Sequence, residues 1–117
     1  MTVIPKGAKA VDYASPANTD KVKLAGVSLV SRYIDPTAGL PGATWKCLTV
    51  AERDQLIGMG KAILLIWETT STRGLEGAAA GTTDGVAASA AAARLGYPTT
   101  ATIISTFDTD INKARLP

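Results

Sequence analysis

The sequence contains no histidine, and its single cysteine is Cys47. Without histidine neither a Ser-His-Asp triad nor a Cys-His pair can be assembled, and no metal site with an imidazole ligand is possible. One cysteine cannot close an internal disulfide, so no disulfide framework holds the chain together. There is no run of Lys or Arg, and the formal net charge is only +2, so neither nucleic acid nor an anionic membrane surface is implied as a partner. The longest strongly apolar stretch, residues 62–67, is far too short to span a bilayer. The opening Met-Thr-Val-Ile-Pro-Lys-Gly has no charged region followed by an apolar run, so no signal peptide is read there. No cofactor and no metal are expected.

What is present suits one globular domain over residues 1–117, with 46% hydrophobic residues to build a core. Strands are expected at 8–14, 27–34, 61–67 and 100–107, from their Val, Ile and Leu content and their Gly and Pro boundaries. The stretch 61–67 is nearly continuous in apolar residues, as a strand buried on both faces should be. Between the strands lie three helix candidates. Residues 19–24 form a short one. Thr49 and Glu52 make a capping box for a second, which should stop near Gly58 or Gly60. Thr82 or Thr83 can cap a third, alanine-rich helix over 86–95 that ends at Gly96. Residues 35–45 and 68–81 read as loops, and 108–117 as a loop or the start of a fourth helix. The order βαβαβαβ predicts an α/β fold with a parallel sheet, its helices on one face. Gly58-Met59-Gly60-Lys61 is not a phosphate loop, because it precedes a strand and lacks the Ser/Thr after Lys.

Four carboxylates fall at or just past the C-terminal ends of these strands: Asp12, Glu68, Asp108 and Asp110. In a parallel fold those ends share one face, where chemistry is carried. Two carboxylates across a cleft are the minimal equipment for cleaving a glycosidic bond. Asp108 and Asp110, two residues apart on one side of an extended segment, would raise one pKa and so make a general acid. Arg32 can pair with a carboxylate and hold it ionised. Tyr13 and Trp67 offer aromatic faces for sugar rings, and Tyr33 ends the second strand beside Arg32.

The ordered series Val11-Asp12-Tyr13, Ala25-Gly26-Val27, Ser31-Arg32-Tyr33, Leu48-Thr49 with Ala51-Glu52-Arg53, Ile66-Trp67-Glu68, Gly96-Tyr97-Pro98 and Phe107-Asp108-Thr109-Asp110 resembles a bacterial glycoside-hydrolase-like domain family, over roughly residues 8–111. That family, long carried as a domain of unknown function, is found in actinobacterial cell-wall-associated proteins and in phage. It is similar to the family 25 lysozyme-type (β/α)8 TIM barrels that cut peptidoglycan. The resemblance implies that Asp12 is the acid ending strand one and that Glu68 lines the same cleft after strand three. It implies too that Asp108 and Asp110 are the acidic pair after strand four. Asp110 stands where the family has Glu, one methylene shorter. Strands five to eight of such a barrel have no counterpart in the 117 residues.

The expectation is therefore the first half of a TIM-like barrel that acts on or binds peptidoglycan or a related cell-wall glycan. Asp12, Glu68, Asp108 and Asp110 are the candidate catalytic residues, and Tyr13, Arg32, Tyr33 and Trp67 the candidate glycan contacts. A non-catalytic structural or binding module of a phage particle is the rival expectation. The chain is expected in a host cytoplasm or virion if phage-encoded, and otherwise at the cell wall. It should associate with itself or with other subunits of an assembly, because a half barrel leaves one sheet face bare.

Overall fold

A computed structural model describes residues 4–36, 44–106 and 109. Four strands, β1 (Lys9–Asp12), β2 (Val27–Tyr33), β3 (Ala62–Trp67) and β4 (Ile103–Ser105), form one sheet in the order β1-β2-β3-β4. All three pairings are parallel. Two α-helices, α1 (Val50–Gly58) and α2 (Ala78–Arg94), fill the second and third crossovers. This is the α/β arrangement expected from the sequence, the first half of a TIM-like barrel.

Register decides which side chains meet. Val11, Val30 and Ile63 stand in line, as do Arg32 and Leu65, and Leu65 and Ile103. These residues point to the helix-covered face, where Val30, Ile34, Leu65 and Trp67 pack with Leu48, Leu56, Ala87, Ala88, Ala91, Ala92 and Leu95. The alternate residues Ala10, Leu29, Ala62, Leu64, Ile66 and Ile104 point to the other, inner face. There burial is incomplete. Leu29 and Leu64 are half-buried and Ile104 is 43% exposed. The strand read as buried on both faces is buried only over its last three residues, Leu65, Ile66 and Trp67, while Ala62, Ile63 and Leu64 are half-buried.

Both helices stop by the same device. Gly60 and Gly96 adopt positive φ, at 75° and 81°. The amides of Lys61 and Tyr97 then reach back to the carbonyls of Leu56 and Ala92, and those of Gly60 and Gly96 to Ile57 and Ala93. The helix starts depart from the sequence reading. Thr49 caps α1 by accepting the Glu52 amide at 3.2 Å, but Glu52 does not reach back; its side chain turns into the protein. Helix α2 begins at Ala78 instead of after Thr82 or Thr83. Those hydroxyls donate to the carbonyls of Ala78 and Ala79, one turn earlier, so they sit inside the helix and leave its ladder intact.

The first crossover holds no α-helix. A 3-10 turn over Pro16–Asn18 is followed by a single α-turn from Asp20 to Leu24. The Asp20 carboxylate accepts the amides of Val22 and Lys23 at 2.8 and 2.9 Å and so stabilises an isolated turn, and Gly26 (φ 76°) redirects the chain into β2. Lys61, at the entry to β3, donates to the carbonyls of Leu24 and Val27 and ties this turn to the sheet.

Candidate functional site

The carboxyl ends of β2, β3 and β4 gather a small polar site around Glu68. The residue lies directly after β3, on the inner-face side of the alternation, and is 17% exposed. One carboxylate oxygen accepts from Lys46 Nζ at 2.7 Å and the other from Thr106 Oγ1 at 2.9 Å. Lys46 belongs to a 3-10 turn over Thr44–Lys46 that is stitched to the end of β2. Cys47 bridges Tyr33, and the Leu48 amide donates to the Tyr33 carbonyl at 2.7 Å. That seam holds the Lys46 ammonium 4.1 Å above the Tyr33 ring, so one cation bridges the aromatic face and the carboxylate. Burial opposes ionisation of Glu68, but the hydrogen bonds from Lys46 and Thr106 and the Lys46 charge outweigh it and hold the carboxyl below its ordinary range. Glu68 is therefore a carboxylate at neutral pH. It is equipped to act as a base or to stabilise a cation, and it is not a proton donor.

A cleft of about 460 Å³ opens beside it, between the ends of β3 and β4 and the first half of α2. Its walls include Glu68, Thr69, Arg73, Asp84, Ser105 and Thr106, with Gly77, Gly81 and Gly85 leaving the α2 backbone accessible. Asp84 anchors this wall. The Trp67 indole donates to it at 3.2 Å, and Arg73 lays its fork on both carboxylate oxygens at 2.8–3.2 Å while also reaching Glu76. Burial works against the Asp84 charge, yet Arg73 and Trp67 keep its carboxyl below the usual range. Thr69 is buried in the same wall, and its hydroxyl oxygen has no hydrogen-bond partner among the described residues.

The residues singled out in the sequence part company here. Tyr33 and Glu68 come together through Lys46. Trp67 is 3% exposed and contributes its indole N–H to the wall, with its ring in the core. Asp12 ends β1 exposed and on the inner face, opposite Ser31, which is opposite Leu64. Glu68 lies four residues beyond Leu64 and two strands away. At about 3.3 Å per residue and 4.8 Å per strand, the two backbones are on the order of 15 Å apart. Asp108 and Asp110 lie outside the described residues.

Arg32 and Tyr13 belong to a different cluster, under the helices. Arg32 is fully buried. It grips Glu52 with Nε and Nη2 at 2.7 and 3.1 Å, donates Nη1 to the Tyr13 carbonyl at 2.6 Å, and stacks 4.6 Å from the Tyr13 ring. Thr19 donates to the same Glu52 oxygen at 2.6 Å, and the Tyr13 hydroxyl lies 2.8 Å from Thr19 and 3.5 Å from Glu52. Burial and the nearby Glu52 charge push the Tyr13 phenol up. Arg32 does pair with a carboxylate, as one sequence reading had it, but the carboxylate is Glu52 in the core. With each guanidinium nitrogen bonded and no exposure, its role is to join β1, β2 and α1.

Lys46, Thr106, Arg73 and Asp84 were missed by sequence reasoning. Their partners are 11 to 38 positions away, so no local pattern marks them. Burial pushes the thiol of Cys47 up to about 11, which excludes a reactive thiolate beside the site. Among the described residues no group of three or more Cys, Asp or Glu is placed to hold a metal ion, and no helix is long and apolar enough to cross a membrane.

A four-stranded parallel half barrel with an ionised carboxylate and a polar cleft at the carboxyl ends of its strands is the framework of a glycoside-hydrolase-like domain. The profile of the Rv2525c-like, glycoside hydrolase-like domain family matches residues 20–116, and the chain belongs to that family. It is also similar to the crystal structure of the Mycobacterium tuberculosis Tat-secreted protein Rv2525c in complex with HEPES. The TM-score is 0.69 with 27% sequence identity, over 89% of this chain and 54% of that one. The chain thus spans about half the length of that solved relative. A comparison with curated proteins returns no match.

Proposed function

We propose that this chain supplies the Glu68-bearing part of a site for peptidoglycan or a related cell-wall glycan, in an actinobacterial cell-wall system or a phage that attacks one. The observation that carries the proposal is Glu68 itself. It is an ionised carboxylate fixed at the end of a central parallel strand, flanked by an aromatic face and open to a cleft, in a chain of a glycoside-hydrolase-like family. The Tat-secreted character of the mycobacterial relative supports an extracytoplasmic setting.

In the catalytic form of the proposal, Glu68 is the carboxylate that stabilises the oxocarbenium-like transition state or activates water. Its acid partner is Asp108 or Asp110, which follow β4 in the sequence. Asp12, farther back along the sheet, serves as a glycan contact on the inner face. Release of reducing ends from purified peptidoglycan is the direct test. Asp110→Asn should abolish it while leaving the melting temperature nearly unchanged, and Glu68→Gln should abolish it with only the small loss of stability that goes with the Lys46 ion pair.

The Lys46 contact favours a second form, in which the site binds glycan without cleaving it, since the ammonium neutralises Glu68 and occupies one of its oxygens. Sedimentation with insoluble cell wall separates the two. Binding that is lost in Tyr33→Ala, with no reducing ends released by the parent chain, supports the binding form. No binding and no cleavage by the parent chain refutes both.

A further inference from the structure

We propose that the cleft between the ends of β3 and β4 and the first half of α2 is a subsite for the acetamido group of an N-acetylated amino sugar. The inference rests on the glycan reading above and names the sugar that the cleft selects. The first ground is an unmet hydrogen bond. Thr69 lines the cleft and is 7% exposed, and its hydroxyl oxygen has no partner among the described residues. Most buried polar groups are bonded, and one left unbonded is costly. A threonine hydroxyl donates one hydrogen bond and accepts others. An amide in the cleft, with one N–H and one carbonyl, meets it with either group.

The second ground is space that the backbone does not require. Gly81 and Gly85 stand one turn apart inside α2, on the side that lines the cleft. Glycine inside a helix weakens it relative to alanine. Neither residue has a positive φ, and a Cβ built at either would meet nothing within 4 Å. No turn and no close approach of the described chain therefore accounts for them. What they leave is room along the helix wall of a cleft of about 460 Å³, inside the range of about 300–1,000 Å³ of small-molecule sites.

The third ground is the chemistry of the walls, and it selects the ligand group. The charged side chains of the cleft are already paired, Glu68 with Lys46 and Asp84 with Arg73. A phosphate, a carboxylate or a free ammonium finds no unpaired counter-charge among them, and burying an unpaired charge is costly. Ala88, Ala101 and Ile103 line the same cleft and give it an apolar part. An acetamido group is neutral, with a methyl for that apolar part and an amide for Thr69. A plain sugar hydroxyl meets Thr69 but leaves the apolar part unfilled.

Calorimetric titration of the full chain with tri-N-acetylchitotriose, its fully de-N-acetylated counterpart and cellotriose tests this, alongside sedimentation with insoluble cell wall. The N-acetylated trisaccharide should bind about tenfold more tightly than either of the others, or better. Thr69→Val keeps the shape and removes the hydroxyl. It should weaken that binding roughly tenfold without lowering the melting temperature, since the hydroxyl bonds nothing among the described residues. Gly85→Leu fills the cleft and should abolish the binding with circular dichroism unchanged. Val86→Ala, at an exposed neighbouring position, should leave it intact. Suppose the parent chain sediments with cell wall, yet the three trisaccharides bind alike or not at all. The acetamido subsite is then overturned and the glycan reading stands. The same holds if Thr69→Val and Gly85→Leu bind the N-acetylated trisaccharide as the parent does. A parent chain that takes neither cell wall nor any trisaccharide overturns the glycan reading and this inference with it.

Discussion

Replacing Arg32 by Leu tests whether the Arg32–Glu52 pair holds the fold. The guanidinium is fully buried and Glu52 is 6% exposed. The change removes both hydrogen bonds to Glu52, the bond to the Tyr13 carbonyl, and the stack on the Tyr13 ring. Taking one partner from a buried ion pair costs about 3–5 kcal/mol, because the other is left charged and poorly solvated. Here Glu52 keeps the Thr19 hydroxyl at 2.6 Å and a long contact to the Tyr13 hydroxyl, which places the cost near the lower end, about 3 kcal/mol. For a domain of this size that lowers the melting temperature by roughly 10 °C or more. Urea unfolding followed by circular dichroism reads it as a lower midpoint at unchanged slope. The second arm is the double variant Arg32→Leu with Glu52→Leu, which removes both charges and fills the space with apolar groups. It should be more stable than Arg32→Leu alone. A single variant within about 1 kcal/mol of the parent would refute the argument. So would a double variant whose loss equals the sum of the two singles, since residues that truly interact are not additive.

Three further outcomes test other parts of the fold and the site. Gly96→Ala should destabilise by about 1–2 kcal/mol, because φ is +81° there and the added Cβ would lie 2.8 Å from Arg53 Nη1; Gly58→Ala, with open space and ordinary φ, is the control. Leu56→Ala, at a fully buried position, should cost about 2–5 kcal/mol in the same unfolding assay. Glu68 titrates below its ordinary value of 4.5 in the folded chain. Its contribution to stability is therefore fully present above the unfolded value and is lost as pH falls through the folded one. Lys46→Met should raise the Glu68 pKa in a carbon-13 titration, and an unmoved value would mean that Lys46 does not set it.

The parts of the fold that could be read from the sequence are those fixed by short-range chemistry. The apolar run of β3, the Thr49 cap and the glycines that end α1 and α2 each act within a few residues. So did the strand-end position of Glu68, which follows Trp67 at the point where the apolar run stops. The errors lie where a residue had two local options and a distant contact chose between them. Thr82 and Thr83 are good caps, yet they serve as interior residues because alanines 78–80 extend the helix toward the cleft and the hydroxyls can bond backward. Glu52 fits a capping box, yet Arg32, twenty positions earlier, offers it a stronger partner. Lys46 follows a Pro- and Gly-containing stretch and carries no signal at all; only the seam between Cys47 and Tyr33 gives it its place.

The two carboxylate–cation pairs show why position on the sheet decides role. Glu52 with Arg32 and Glu68 with Lys46 are chemically alike, each a carboxylate at 2.7 Å from a cation that also stacks on a tyrosine ring. Arg32 points to the helix-covered face, where α1 seals the pair from water. A bidentate guanidinium suits a permanent bond there, because it satisfies both oxygens in one rigid geometry. Glu68 lies on the open side, beyond the last ladder pair of β3. Its cation is a lysine, a point charge on a flexible stem that a ligand can displace, and its second oxygen is held by a threonine that can rotate its hydroxyl toward a sugar. An Arg in place of Lys46 would lock the carboxylate. Lys46→Arg should therefore weaken the glycan binding proposed for Glu68 while leaving the fold as stable as before, measured by cell-wall sedimentation alongside thermal melting. Unchanged binding would mean that Lys46 does not move aside when ligand enters.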